Sequence, residues 1–195
     1  LGRTEERDAD TSWVDINNTQ AGVLATRHLV QRGYRRIAFV SHSGKETFNA
    51  DRISGYCREL DASGLGVDQS LIIHAEPGID NAVALISALL RSAGRPDAVL
   101  CGSDIVALGA LRAAKREGLS VPEDLGILSF DNTVVTDLAE PGISSMDVDT
   151  YELGEQAAEI LINQIENPGS SIRQVLLSTR VVERPSTARS AGAGS

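Results

Sequence analysis

Arg52, Asp131, Phe48 and the pair Ser103-Asp104 have the side chains and the positions in this sequence that a site for a small polar molecule requires. Arg52 follows a polar loop at the start of an amphipathic stretch. There its guanidinium fork can hold two oxygens of a sugar or a carboxylate at once, or serve as half of a surface ion pair. Asp131 follows the predicted strand 125–129, with Phe130 between them. Its carboxylate would project from the end of a buried strand as an acceptor for hydroxyl or amine donors, or close a local turn with Asn132 and Thr133. Phe48, in the loop ahead of Arg52, could stack on the apolar face of a ring or pack beneath its own loop. Ser103 and Asp104 precede a helical stretch that either residue could cap, a contact worth about 1 kcal/mol; capping is the expected role of Asp104.

Covalent chemistry finds no comparable support. The sequence has no phosphate loop of the Walker type, no GxGxxG after a strand, no GxSxG elbow and no HExxH helix. No catalytic residue and no cofactor are therefore assigned, and the chain reads as a non-enzyme. The histidines His28, His42 and His74 are scattered, and His28 falls on an apolar helix face, the place of a structural histidine. Asp147 and Asp149 alternate as a calcium loop would begin, but the turn glycine and distal glutamate are missing, so no metal is expected. Cys57 and Cys101 are too few and too far apart for a disulfide framework or a zinc site and fit a reducing compartment, the cytoplasm. Asn17-Asn18-Thr19 fits a glycosylation sequon, which matters only in a secretory chain.

The elements that must position these residues alternate. Apolar residues at Ala21, Leu24, Ala25, His28 and Leu29 give helical spacing over 18–33, with Asn17 or Asn18 as cap and Gly33 as stop. Further helices are predicted near 50–63, 79–93, 104–117 and 150–165. Short apolar runs at 37–40, 71–74, 98–101, 125–129 and 144–148 read as buried strands. Continuous apolar strands separated by single amphipathic helices call for an α/β fold, a doubly wound and mostly parallel sheet covered on both faces. In such sheets ligands sit beyond the carboxyl ends of the strands, where the strand order reverses. The stretches to inspect are thus 41–49, 75–78, 102–104 and 131–133, all polar or glycine-containing.

The chain has 195 residues, with 27 Asp and Glu against 18 Lys and Arg and a net charge of −9. That length allows one domain or one domain plus part of another, with a proper core. An acidic chain lacks the clustered positive face that displaces counterions from a nucleic-acid backbone; the short cluster Arg32, Arg35 and Arg36 reads as a solvated helix end. No apolar stretch approaches the about 20 residues of a membrane helix, so no membrane partner is expected. The tail 189–195, rich in Ala, Gly and Ser, is predicted to be disordered.

Four stretches together resemble the effector-binding region of the LacI/GalR-type (lactose-repressor) family of transcription regulators. They are 28–38 (HLVQRGYRRIA), 52–56 (RISGY), 96–111 with its PDAV, SD and ALGAL segments, and 121–132, where VPEDL runs into FDN. The closing Arg184-Pro185-Ser186-Thr187 fits as well. The resemblance covers residues 1–187 and implies a type I periplasmic-binding-protein-like fold. It divides the chain into 1–17 as a remnant of an N-terminal subdomain, 18–148 as the effector-binding C-terminal subdomain, 149–178 returning to the first subdomain, and 179–188 as a final strand. By the same resemblance Arg52 and Asp131 contact the effector. Ser103 stands where the family usually has an effector-reaching Asn, and Ile16 and Glu76 take crevice-side positions. Trp13 could pack between subdomains or serve as a ligand platform.

The implied function is binding of a sugar or other small metabolite that allosterically controls operator DNA binding, in a homodimer whose DNA-reading helix-turn-helix would lie upstream of Leu1. On that reading the N-terminal subdomain is truncated. The apolar stripe Leu153, Ala157, Ile160, Leu161 and Ile165 would lack part of its cover, so the isolated chain is expected to associate and to bind effector weakly. The alternatives are a periplasmic sugar-binding transport receptor and an α/β enzyme with an unrecognised site.

Overall fold

The computed structural model describes residue 2, residues 11–42 and residues 46–189; the expectations for 1–10 and for the tail beyond 189 lie outside these. The chain alternates as its apolar pattern requires. Among the described residues it runs β1 (Trp13–Ile16), α1 (Asn18–Gln31), β2 (Ile37–His42), α2 (Thr47–Ala62), β3 (Ile72–Ala75), α3 (Ile79–Leu90), β4 (Ala98–Cys101), α4 (Asp104–Arg116), β5 (Gly126–Phe130), α5 (Val134–Leu138), β6 (Ser144–Asp147), α6 (Thr150–Glu166), β7 (Gln174–Leu177) and β8 (Arg180–Val182).

Six strands form one sheet in the order β3-β2-β4-β5-β6-β8, parallel except for the antiparallel edge pair β6 and β8. Strand side chains alternate between two cores. Ile37, Phe39, Leu100, Leu128 and Phe130 face α1 and α2, where Leu29, Tyr56 and Leu60 cover them together with Tyr34 from the turn after α1. Ala38, Val40, Val99, Cys101 and Ile127 face α3 and α4, where Ile86, Leu90, Ala107 and Ala110 cover them. Both faces are dry, which is why these strands read as continuous apolar runs. A separate parallel pair, β1 with β7, carries α6 through Val14, Ile160 and Leu177.

Helices α1 and α2 approach closely because glycines remove the side chains between them. A Cβ on Gly55 would stand 2.1 Å from the Thr19 carbonyl oxygen, and one on Gly22 2.2 Å from that of Arg52, so α1 and α2 touch backbone to backbone. α1 stops where expected: Gly33 takes φ 87°, a left-handed conformation that favours glycine after a helix end.

Three details depart from the expected elements. α2 begins at Thr47, three residues ahead of the predicted start, so Phe48 lies in its first turn rather than in a loop and Arg52 lies within the helix rather than at its start. The two are four residues apart and therefore share one face. The five-residue α5 is too short for any periodicity to reveal. The sheet of 37–147 also takes its edge strand from β8, so the final strand belongs to this layer.

Candidate functional site

Strand order reverses at β2: β3 lies to one side, and the chain then crosses back to place β4 on the other. The loops after β2 and β4 therefore diverge and leave a crevice at their carboxyl ends. A cleft of about 300 Å³ occupies it, lined by Ser41, Glu46, Phe48, Asn49, Arg52, Gly102, Ser103 and Asp131. That volume is at the small end of the range of ligand pockets, roughly 300–1,000 Å³.

Arg52 is its centre and is 6% exposed. Its guanidinium lies 4.2 Å from the ring centre of buried Phe130 and 5.0 Å from that of Phe48, both within cation–π range. Nε donates to Asn18 Oδ1 at 2.9 Å and Nη1 to the Gly102 carbonyl at 3.2 Å. Nη2 stands 3.8 Å from Asp131 Oδ1, an ion pair too long for a direct hydrogen bond. Burial lowers the guanidinium pKa, while Asp131 and then Asp15 act to raise it.

Asp131 keeps 44% of its side chain exposed toward the cleft. Burial of the rest raises its pKa, Arg52 pulls the other way, and Asp104 adds to the rise. Its backbone takes φ 93° and that of Asn132 φ 48°, both in the left-handed region that non-glycine residues seldom adopt. Neighbours hold this bend. The Asn132 amide donates to Ser145 Oγ at 3.0 Å and the Thr133 amide to Asp104 Oδ2 at 2.8 Å. The local turn considered for Asp131 would need the Thr133 amide, which Asp104 already occupies.

Asp104 is 3% exposed and does not cap α4. Ser103 does, accepting from the Val106 amide at 3.4 Å. Asp104 instead accepts from Ser129 Oγ at 2.6 Å and from the Thr133 hydroxyl at 2.6 Å, fastening the loop after β5 to the start of α4. The capping expected of Asp104 is not what it does, because a carboxylate on the first helical residue of α4 lies over β5.

Four of the six residues singled out in the sequence, Arg52, Asp131, Ser103 and Phe48, meet in this cleft. Ile16 and Glu76 are not among its lining residues. Ile16 ends β1 almost fully buried, and exposed Glu76 follows β3, the edge strand on the far side of the switch point. Trp13 lies in β1 beside Gln174. Ser41, Glu46 and Asn49 fall within a stretch marked for inspection but carry no signal that separates them from ordinary loop residues. Asn18 reads from sequence only as a helix cap; Asn17 fills that role, its side chain accepting from the Gln20 amide.

The remaining candidates have structural partners. His28 Nε2 pairs with Thr187 Oγ1 at 2.8 Å, and burial lowers its pKa. Asp147 binds Arg180 and Asn132, while Asp149 caps α6. Arg32 and Arg36 pair with Glu183 and Asp68. Among the described residues no group of three or more His, Cys, Asp or Glu could hold a metal ion, and no helix is long and apolar enough to cross a membrane.

Residues 26–187 match the family described as periplasmic binding protein-like domain. The chain is 33% identical over 186 residues to the HTH-type transcriptional regulator CelR of Thermobifida fusca, covering 95% of this chain and 54% of that protein. It is 31% identical over 170 residues to the ribose operon repressor of Haemophilus influenzae, covering 87% of this chain and 51% of the repressor. The chain thus spans about half the length of these curated relatives. Among solved structures, the complex of the regulator CelR with cellobiose superposes with a TM-score of 0.89 at 32% identity, covering 95% of this chain and 57% of that one. A LacI family regulator from Enterococcus faecium with bound ribose superposes with a TM-score of 0.83 at 27% identity, covering 91% of this chain and 65% of that one.

Proposed function

From the premise that this chain belongs to the periplasmic binding protein-like family, in the branch found in LacI-type transcriptional regulators, we propose that it is the effector-binding region of such a regulator. Its effector is a sugar or a close hydroxylic relative. The observation that carries this reading is the convergence of Arg52, Asp131 and Phe48 on one cleft at the switch point of the sheet. An arginine donates to ligand oxygens, a carboxylate accepts from ligand hydroxyls, and an aromatic face covers apolar C–H groups. The ribose and cellobiose complexes of the two structural relatives support the same ligand class.

The six-stranded sheet with α1–α4 forms one lobe, and β1, β7 and α6 belong to a second. The ligand acts by binding two arrangements of the lobes unequally, and the difference in affinity is what reaches operator DNA. No bond in the ligand is broken. Operator contact belongs to a helix-turn-helix outside this chain, in a homodimer working in the cytoplasm.

Calorimetric titration of the full-length protein with ribose, cellobiose and a panel of neutral mono- and disaccharides tests this. One sugar is expected to bind, with a loss of about 10-fold or more in Arg52→Gln and in Asp131→Asn, since each substitution removes a charged hydrogen-bonding partner. Binding that survives both substitutions unchanged overturns the assignment of the cleft. Failure of every sugar to bind overturns the ligand class.

A further inference from the structure

Arg52 does not set its own direction. A buried guanidinium on a flexible stem points into a cleft only if its other edges are held, and here the deepest edge is held by Asn18. Asn18 is 2% exposed and opens α1 directly after the chain leaves β1. Its two amide atoms are both in use. Oδ1 accepts from Arg52 Nε at 2.9 Å, while Nδ2 donates to the Ile16 carbonyl at 3.1 Å and lies 3.5 Å from Asp15 Oδ1.

Guanidinium is a donor only, and a carbonyl is an acceptor only. A side chain standing between them must accept on one atom and donate on the other, which among short side chains only an amide does at this reach. A carboxylate at position 18 would satisfy Arg52 but face the Ile16 carbonyl and Asp15 without a proton to offer. An apolar residue would leave Arg52 Nε buried without its partner.

We propose that Asn18 is a positioning residue for the effector site: it fixes the guanidinium of Arg52 toward the cleft and ties it to β1. Asn18 is not itself a lining residue of the cleft. The path runs from Arg52 through Asn18 to Ile16 at the end of β1, and β1 pairs with β7 in the other sheet. A ligand that draws Arg52 forward pulls on that strand through one amide. This inference rests on the reading of the cleft as an effector site.

The test uses the full-length protein and begins without any ligand. The Arg52 Nε–H resonance, assigned by its loss in Arg52→Lys, reports hydrogen exchange at the shared bond. Exchange is expected to be slow in the parent protein, at least about 10-fold faster in Asn18→Ala, and slow again in Asn18→Asp, which keeps the acceptor. Should Asn18→Ala fail to fold, Asn18→Ser replaces it, its hydroxyl being one bond closer to the backbone and out of reach. Equal exchange in the parent and the acceptor-deleting variant overturns the proposal.

The second arm is a double-mutant cycle on affinity for whichever of ribose or cellobiose binds. Asn18→Ala is expected to weaken binding about 10-fold in the parent and less than about 2-fold in the Arg52→Lys background. Additive losses would show that Asn18 acts independently of Arg52 and would also overturn the proposal. Failure of both sugars to bind counts against the effector reading alone, and the exchange measurement still decides the role of Asn18.

Discussion

Asp131 carries a backbone bend and an uncomfortable charge together. Its pKa stands above the ordinary carboxylate value, so the ionised form is less favoured in the folded chain than in the unfolded one. The stability cost is present at neutral pH and disappears as the pH falls through the raised pKa toward the unfolded value. Asp131→Asn is therefore expected to melt no lower than the parent at pH 7 and to lose any relative advantage at acid pH, as thermal melts at both conditions would show. Sugar binding should behave in the opposite sense. Protonation of Asp131 removes an acceptor, so affinity is expected to fall as the pH drops through that pKa, and titrations of Asp131→Asn should show a flatter profile. Asp104 has a different part. It receives hydrogen bonds from Ser129 and from both the amide and hydroxyl of Thr133. Asp104→Ala is expected to cost about 2 kcal/mol or more, since buried Ser129 and both donors of the more exposed Thr133 lose a charged acceptor at once. Denaturant midpoints measure it. Sequence reasoning brought forward Asp131, Ser103 and Phe48 because each lies in a stretch just past a predicted strand, and Arg52 through the family resemblance. It did not identify Asn18 as more than a cap, since its partner is 34 positions away.

At the scale of elements, the same residue type has opposite consequences in different helices. Gly55 and Gly22 lie in the contact between α1 and α2, where an added Cβ would meet backbone at 2.1 Å and 2.2 Å. Gly55→Ala is expected to destabilise by about 1–3 kcal/mol, as overpacked sites do. Gly109 meets the Ala82 side chain at 2.6 Å, so α3 and α4 obey the same constraint. Gly154 in α6 has nothing within 4 Å of an added Cβ. There alanine only removes chain entropy from the unfolded state, and Gly154→Ala is expected to stabilise by about 0.5–1 kcal/mol. Paired melts of the two variants test the assignment of faces. The helices and strands themselves were legible in sequence, since their apolar periodicity reflects burial on one face or two. The early start of α2 was not. Glu46 provides no side-chain cap there, so no capping residue marks the start.

At the scale of the whole molecule, the expected stripe on α6 divides. Leu153, Ala157 and Ile160 pack on β1 and β7, whereas Leu161 is 58% and Ile165 69% exposed. Ile162 and Tyr151 on the same helix and Leu176 on β7 are exposed as well. An apolar area of this kind promotes association in water. This chain, prepared alone, is expected to sediment or scatter as more than a monomer, and Leu161→Lys with Ile165→Lys should reduce that; a monodisperse parent chain would contradict it. The α/β class, the alternation of elements and the strand ends to inspect were readable from the residues alone, because those follow from local periodicity and from the chain-order rules of parallel sheets. The three-dimensional arrangement was needed to see that β3 lies on the far side of β2, leaving Glu76 away from the cleft, and that Asn18 and Asp104 are inward-facing ties. Such roles depend on which distant groups stand opposite a side chain, and strand order in space is not encoded in any window of residues short enough to read.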